Sequence, residues 1–254
     1  MVYRILPWIM DELRENPLHV TLIDPDSQEP ERASEIALCA AEGGTSFILV
    51  GGSRGVDINK MESTLTAIKE SIDLPVVSFP ASSDLISDKA DALLFMSLMN
   101  SRNPRFTFGE AVKAAKLIRD TEIETISTGY VVVEPGMLVG EVGEVDLIRR
   151  EDNDRAASYG ITAQLLGMDI FYLEGGSGVD HPIPPDMIRT IKGEISIPLV
   201  VGGGIKTPAL AREVVRAGAD LVVTGTMVET ETDIKRAVSS MVGSIREAGE
   251  ERAG

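Results

Sequence analysis

The 254-residue chain has a single cysteine, Cys39, and two histidines, His19 and His181. One cysteine excludes an internal disulfide and a zinc site built from several thiolates. It also indicates a reducing compartment, so we expect a cytoplasmic location. No serine nucleophile motif accompanies Asp180-His181, which argues against a hydrolase triad.

Basic residues are scarce. The chain has 24 Lys and Arg against 40 Asp and Glu, a formal net charge of −16. A nucleic-acid surface needs clustered Lys and Arg to displace counterions, so we expect no nucleic-acid partner. Backbone amides or a metal ion can still bind an anionic ligand locally, but this charge balance gives such a ligand no long-range steering.

Long uncharged apolar runs are also missing. No run approaches the roughly 20 residues needed to cross a bilayer, so we expect no stable membrane insertion. Residues 1–10 are apolar, but Asp11-Glu12 follow at once and there is no small-residue cleavage site. We predict a helical extension over residues 1–17, with Trp8 packed on the core, in a single domain spanning 1–254.

Eight apolar runs of strand length alternate with helical patterns along the chain. They lie at 19–24, 47–53, 75–80, 92–98, 127–133, 169–173, 198–204 and 221–226. Near-continuous apolar strands are typical of a parallel sheet buried on both faces, and eight such units close most simply as a (β/α)8 TIM barrel. A doubly wound open sheet is the alternative. The third helical segment, near 85–89, is too short to cover its strands, which predicts an irregular barrel there.

Three successive strands end in glycine turns, at 175–178, 202–204 and 225–226. In a barrel these loops are neighbours on the rim that commonly holds phosphate. Any one of them alone is an ordinary tight turn. Together they predict a phosphate site, with hydroxyls from Ser177 and Thr226 and the dipole of a helix that starts near Thr207.

Oxygen-bearing side chains follow the first two strands. Asp24 and Asp26 come after the first and Ser53 after the second. Such ligands suit Mg²⁺, but Asp-Pro-Asp is equally ordinary turn chemistry, and the pattern leaves both interpretations open. Glu174, at the end of the sixth strand, is predicted to have a pKa raised by burial, either as a general base or as a carboxylate that only hydrogen-bonds a ligand hydroxyl.

Apolar side chains cluster near the ends of strands three to five, opposite the glycine loops. Most are expected to be core, but the weak third helix and the long loop over 135–145 predict a groove for a hydrocarbon chain. Arg102 and Arg105 are either diphosphate contacts or solvated loop charges. The apolar set comprises Phe79, Phe95, Met96, Phe106, Phe108, Tyr130, Met137 and Leu138.

The combination of motifs resembles the geranylgeranylglyceryl phosphate synthase family. The match runs in order through nearly the whole chain, and its Tyr-Leu-Glu-x-Gly-Ser-Gly element is quite specific. Gly175 stands where the family more often has alanine. The matching segments are Leu22-Ile23-Asp24-Pro25-Asp26, Val50-Gly51-Gly52-Ser53, Tyr172-Leu173-Glu174-Gly175-Gly176-Ser177-Gly178, Val201-Gly202-Gly203-Gly204-Ile205 and Thr224-Gly225-Thr226.

This resemblance implies a TIM-barrel prenyltransferase that forms the first ether bond of archaeal membrane lipids. It would join geranylgeranyl diphosphate to the C3 hydroxyl of sn-glycerol 1-phosphate, with Asp24 and Ser53 holding Mg²⁺ and Glu174 accepting or orienting the hydroxyl. Family members are commonly homo-oligomers. The resemblance assigns glycerol phosphate binding to Tyr172, Leu173, Glu174, Gly175, Gly176, Ser177, Gly178, Gly203, Gly204, Gly225 and Thr226.

Three other functions fit parts of the pattern. The related heptaprenylglyceryl phosphate synthases take a longer prenyl donor. A phosphate-binding barrel isomerase or lyase would need an acid/base pair or a Schiff-base lysine, and Lys206 is the only lysine directly after a glycine loop. A non-enzymatic module would bind a phosphate sugar or a lipid without forming product.

Overall fold

Eight parallel strands form a closed barrel in the computed structural model, which describes residues 4–52 and 56–253. Each strand pairs with its sequence neighbours, and β8 closes the ring on β1. The predicted TIM barrel is confirmed. The strands are β1 (Leu18–Ile23), β2 (Phe47–Val50), β3 (Val76–Ser78), β4 (Ala92–Leu98), β5 (Glu124–Val132), β6 (Ile170–Glu174), β7 (Leu199–Gly202) and β8 (Leu221–Thr224).

Alternation along each strand separates two cores. In β6, Ile170 and Tyr172 belong to the cluster inside the barrel, whereas Phe171 and Leu173 pack with the helix layer. Successive side chains of a strand point to opposite faces, so Glu174 continues the inward set. The same period therefore places this carboxylate at the mouth of the barrel.

Helices surround the barrel and begin with recognisable caps. The side chains of Asp57, Asp152 and Thr207 each accept a backbone N–H in the first turn of the helix that follows, as N-cap residues do. The helices are α1 (Ile5–Glu15), α2 (Pro30–Glu42), α3 (Ile58–Ser71), α4 (Glu110–Thr121), α5 (Met137–Val142), α6 (Asn153–Leu165), α7 (Pro185–Glu194), α8 (Pro208–Ala217), α9 (Thr226–Thr230) and α10 (Ile234–Ala253).

The connection from β3 to β4 lacks a full helix, as the weak pattern near 85–89 predicted. Its helical content is one 3₁₀ turn, Ser83–Leu85. The loop is held against α4 because the Glu110 carboxylate accepts hydrogen bonds from the Ser83 amide at 2.8 Å and the Ser83 hydroxyl at 2.6 Å. A gap in the helix layer therefore opens beside β3 and β4.

Helix α1 packs against the barrel interior. Ile5 and Ile9 are buried with the residues inside the barrel, and the Trp8 ring meets Phe47 edge to face at 6.3 Å. The Glu124 carboxylate, far away in the sequence, caps the N-terminus of α1 and accepts a hydrogen bond from the Ile5 amide at 2.7 Å. Among the residues described, no helix has the length and apolar content to span a bilayer.

Candidate active site

A single cavity lies at the end of the barrel where the strands have their carboxyl ends. Its polar end is formed by the loops after β6, β7 and β8. From there it passes Glu174 and reaches the gap beside the β3–β4 loop. Ligand sites of barrel enzymes lie at this end.

The glycine loops after β6 and β7 approach each other backbone to backbone. Gly176 and Gly203 have φ of 103° and 82°, values that favour glycine. A Cβ on Gly203 would lie 2.6 Å from both Glu174 Oε1 and the Gly176 carbonyl oxygen. Gly175 differs, because a Cβ there would meet its nearest atom at 3.6 Å, an ordinary contact.

The third loop brings a second hydroxyl to the same place. Ser177 Oγ and Thr226 Oγ1 are 3.5 Å apart, and both residues line the cavity. Thr226 is the first residue of α9, a short helix absent from the sequence prediction. Thr207 caps α8 and is not one of the described residues that line the cavity.

The predicted glycerol phosphate residues fall into two groups. Leu173 packs outward and is fully buried in the helix layer, so its side chain does not face the cavity. Gly175, Gly176 and Gly178 shape the loop without lining the cavity. The predicted residues that line it are Tyr172, Glu174, Ser177, Gly203, Gly204, Gly225 and Thr226.

Glu174 is buried, with 7% of its surface exposed. Its Oε1 accepts a hydrogen bond from the Gly176 amide at 2.6 Å. Burial raises the pKa of this carboxyl group, whereas the Gly176 amide and the nearby hydroxyls of Tyr172 and Tyr130 oppose the rise without cancelling it. The Tyr172 hydroxyl is close to the carboxylate but lacks hydrogen-bonding geometry, and it has no partner among the described residues. A buried carboxylate with a raised pKa beside an open cavity is suited to accept a proton.

Three aromatic rings meet next to Glu174. Phe79 stacks on Tyr172 with centroids 5.8 Å apart, and Tyr130 meets Tyr172 edge to face at 5.0 Å. Tyr130 and Tyr172 lie opposite each other in the β5–β6 register, which brings both hydroxyls to the carboxylate.

The Asp24 carboxylate lies just after β1, beside the Gly225-Thr226 loop, because β1 pairs with β8. Its Oδ1 accepts the Asp26 amide at 2.9 Å, so the predicted turn chemistry is present. Gly52 allows close packing here, because a Cβ on it would lie 2.1 Å from Oδ1. Ser53, the second predicted magnesium ligand, falls outside the described residues.

The surroundings of Asp24 suit a bound cation. Burial raises the pKa of Asp24. Burial also raises the pKa of Glu229, and the negative charge of Asp24 raises it further. Both carboxylates line the cavity. No group of three or more His, Cys, Asp or Glu with metal-ligand spacing occurs in the part of the chain that the structure describes. The chemistry of two carboxylates is compatible with Mg²⁺, which takes one or two protein carboxylates and completes its shell with water and substrate phosphates.

The far end of the cavity is an apolar groove that opens at the missing helix. Arg102 and Arg105, considered above as diphosphate contacts, do not line it. Arg102 pairs with Asp146 at 2.6 Å, and Arg105 pairs with Glu110 at 2.5 Å. The groove is lined by Pro80, Ala81, Ile86, Leu93, Phe95, Phe106, Ala111, Ala114, Val139 and Val142.

The model of the PcrB family matches residues 10–244 of the sequence, which is most of the chain. The chain belongs to the PcrB family.

Relatives within the PcrB family share a name. The geranylgeranylglyceryl phosphate synthase of Picrophilus torridus is 43% identical over 237 residues, covering 93% of this chain and 98% of the relative. The geranylgeranylglyceryl phosphate synthase of Methanosarcina acetivorans is 46% identical, and the match covers 92% of this chain and 95% of the relative. The crystal structure of the Thermoplasma acidophilum (S)-3-O-geranylgeranylglyceryl phosphate synthase, in complex with its substrate sn-glycerol-1-phosphate, matches with a TM-score of 0.94 at 41% identity over 96% of this chain and 99% of that chain.

Two features of this PcrB-family site went unpredicted. Phe79 and Tyr130 were predicted only as members of an apolar set that is mostly core, and Glu229 was not singled out. A signal for Tyr130 exists, because alternation along β5 points it inward, but its register with Tyr172 needs the folded sheet. Glu229 lies in α9, three residues after Thr226, and only the folded position of α9 brings it to Asp24.

Proposed function

We propose that this PcrB-family protein transfers the geranylgeranyl group of geranylgeranyl diphosphate to the C3 hydroxyl of sn-glycerol 1-phosphate. One observation carries the proposal. Glu174 lies where a glycine-lined polar pocket joins an apolar groove, so that a small phosphate substrate and a long hydrocarbon substrate meet at a buried carboxylate. The names of the relatives, and the glycerol phosphate in the Thermoplasma acidophilum structure, support the same activity.

Glycerol 1-phosphate occupies the polar end. The loops after β6 to β8 offer backbone groups that glycine leaves uncovered, together with the Ser177 and Thr226 hydroxyls 3.5 Å apart. Lys206 lies at the outer edge, where its Nζ is 3.4 Å from the Gly178 carbonyl oxygen and 3.5 Å from Asp180 Oδ1. Such a set binds a phosphate dianion through amides and hydroxyls without a dedicated arginine.

Glu174 accepts the proton of the attacking hydroxyl. An alcohol is a weak nucleophile, so its oxygen must be positioned and its proton removed as the new C–O bond forms. Burial favours the protonated form of Glu174 after transfer, while the Gly176 amide holds one carboxylate oxygen in place. The other oxygen is left to face the substrate.

Asp24, just after β1, and Ser53 would hold Mg²⁺. When bound, the ion supplies charge neutralisation for the departing diphosphate. Asp24 contributes a half-buried carboxylate that already lines the cavity. The prenyl chain of the donor lies in the apolar groove, and we further propose a homo-oligomer located in the cytoplasm.

Product analysis tests the proposal. The protein is incubated with glycerol 1-phosphate, geranylgeranyl diphosphate and Mg²⁺, and the ether product is measured by mass spectrometry. We expect product with the 1-phosphate and little with its 3-phosphate enantiomer. Binding of both substrates without product would favour a lipid- or phosphate-binding module instead.

A longer-chain prenyltransferase remains the second candidate, because the groove opens at the gap beside β3 and β4. Competition between C20 and C35 diphosphates separates the two. A higher kcat/KM for the C35 donor would assign the protein to the heptaprenyl class. Borohydride trapping at Lys206 separately tests the isomerase or lyase alternative.

A further inference from the structure

The three rings of Phe79, Tyr130 and Tyr172, here called the ring cluster, stand where the two halves of the cavity join. Phe79 meets Tyr130 edge to face at 5.7 Å, so each ring contacts the other two. All three residues line the cavity. The cluster therefore lies between the carboxylate that faces the acceptor and the groove that takes the donor.

Phe79 is the member of the cluster that is open to the cavity. Tyr130 and Tyr172 are 6% and 1% exposed, whereas Phe79 is half-buried. In sequence, Phe79 follows the loop that carries Gly52, which packs on Asp24. Phe79 directly precedes Pro80, where the wall of the groove begins. This position is next to the bond that must break if the diphosphate is near Asp24 and the hydrocarbon is in the groove.

The backbone of Phe79 is fixed. Its amide donates a hydrogen bond to the Val50 carbonyl oxygen at 2.8 Å. A Cβ on Gly51 would lie 2.0 Å from the Phe79 carbonyl oxygen and 2.8 Å from its Cβ, so the chain just after β2 approaches Phe79 as closely as glycine permits. A ring that is carried on this backbone and packs on Tyr130 and Tyr172 is in place before charge develops beside it.

The chemistry, which rests on the proposed function, gives such a ring a task. The C1–O bond of the donor breaks heterolytically, and its electron pair leaves with the diphosphate. Positive charge then spreads over C1 and C3 of the allylic fragment. The C3 hydroxyl oxygen of glycerol 1-phosphate donates a lone pair to C1, and its proton passes to Glu174. A ring face stabilises a cation through its quadrupole without forming a bond to it.

We propose that Phe79 is a catalytic residue whose ring face stabilises the allylic cation, while Tyr130 and Tyr172 pack against it and keep it in place. Stabilisation of this kind acts on the transition state and not on glycerol phosphate binding. It therefore changes the rate constant of the chemical step and leaves the acceptor affinity unchanged.

Graded fluorination of Phe79 tests this role. Replacing Phe79 with mono-, di- and trifluorinated phenylalanine weakens the ring quadrupole in steps with little change in shape. We expect the single-turnover rate to fall at each step, by about tenfold or more across the series, while the dissociation constant for glycerol 1-phosphate stays within about twofold. Cyclohexylalanine at position 79, which keeps the bulk and lacks the π face, is expected to lose at least as much.

Phe108 provides the matched control, because it is 67% exposed and is not among the residues that line the cavity. The same fluorinated series at Phe108 is expected to leave the rate unchanged. A flat series at Phe79, full activity with cyclohexylalanine, or an equal decline at both positions overturns the inference and leaves the proposed function intact. A parent protein that forms no ether product overturns both. Circular dichroism and glycerol phosphate binding verify that each variant is folded.

Discussion

The two sides of the cavity are built differently. On the acceptor side, three short glycine loops follow β6, β7 and β8 and pack on one another with no room for a side chain at Gly203. On the donor side, the β3–β4 connection has no full helix and is tied to α4 through Ser83 and Glu110. In the proposed function, backbone groups of the glycine loops would bind the small acceptor, whereas side chains of the groove would bind the long donor.

Glu174 lies where the two sides of the cavity meet, so its replacement is expected to have the largest effect on activity. Glu174→Gln keeps the size of the side chain and removes the proton acceptor. We expect kcat to fall by about 10²- to 10⁴-fold while glycerol phosphate affinity changes little, measured by steady-state kinetics and calorimetry. Near-normal turnover would show that the residue only orients the hydroxyl.

The pH profile adds an independent measurement. Burial raises the folded-state pKa of Glu174 above the usual value of 4.5, and the base must be ionised to act. Activity is therefore expected to fall as the pH drops through that raised pKa, giving an acid limb above pH 4.5. The limb should vanish from the residual activity of Glu174→Gln.

Asp24 tests the predicted metal site. We expect Asp24→Asn to lower kcat/KM for the prenyl donor by about 10²-fold, because the leaving diphosphate loses its Mg²⁺-mediated charge neutralisation. Calorimetric titration of Mg²⁺ in the presence of inorganic diphosphate should show weakened binding. EDTA should abolish the activity of the parent protein, and added Mg²⁺ should restore it. Unchanged Mg²⁺ binding in the variant would remove Asp24 from the metal site.

A pair of glycine substitutions tests the rigidity of the acceptor side. Gly203→Ala forces a Cβ to within 2.6 Å of Glu174 Oε1 at a φ of 82°. We expect glycerol phosphate affinity to fall at least tenfold, since such strain costs about 1–3 kcal/mol. Gly175→Ala is the control and should bind glycerol phosphate normally, because the nearest atom to its Cβ would be 3.6 Å away, an ordinary contact. Similar losses in both variants would contradict the close packing described.

The smallest effect is expected from the connection that holds the donor-side loop. Burial raises the pKa of Glu110, but hydrogen bonds from Ser83 and Arg105 outweigh it and bring the pKa to about 2. Glu110→Gln should raise KM for the prenyl donor about threefold and leave that for glycerol phosphate unchanged, as the loop loosens. An equal change in both KM values would mean that the two sides are not independent.

The Glu110 carboxyl group also makes the stability of the protein depend on pH. Its folded-state pKa is depressed, so its contribution is present above the unfolded value near 4.5 and is lost as the pH falls towards 2. Chemical denaturation across this window should show a smaller pH dependence for Glu110→Gln than for the parent protein.

Much of the fold is readable from local patterns. Apolar runs of strand length, glycine turns after them and capped helices between them predicted eight parallel strands in a barrel, because each signal depends on neighbours in sequence. The short helix predicted near 85–89 is instead one 3₁₀ turn at Ser83–Leu85, and the irregularity expected in this part of the barrel is present. Short helices such as α5 and α9 escaped prediction, because six and five residues show no period.

The sequence by itself determined the barrel, the glycine loops and the position of Glu174 at a strand end. Only the tertiary structure decided what surrounds that carboxylate. The contacts between Phe79, Tyr130 and Tyr172 join the residue after β3 with β5 and β6, and the Gly203 packing joins two loops. Local periodicity fixes the direction of a side chain along its own strand. Which residue it meets depends on strand register and barrel closure, which are properties of the whole sheet.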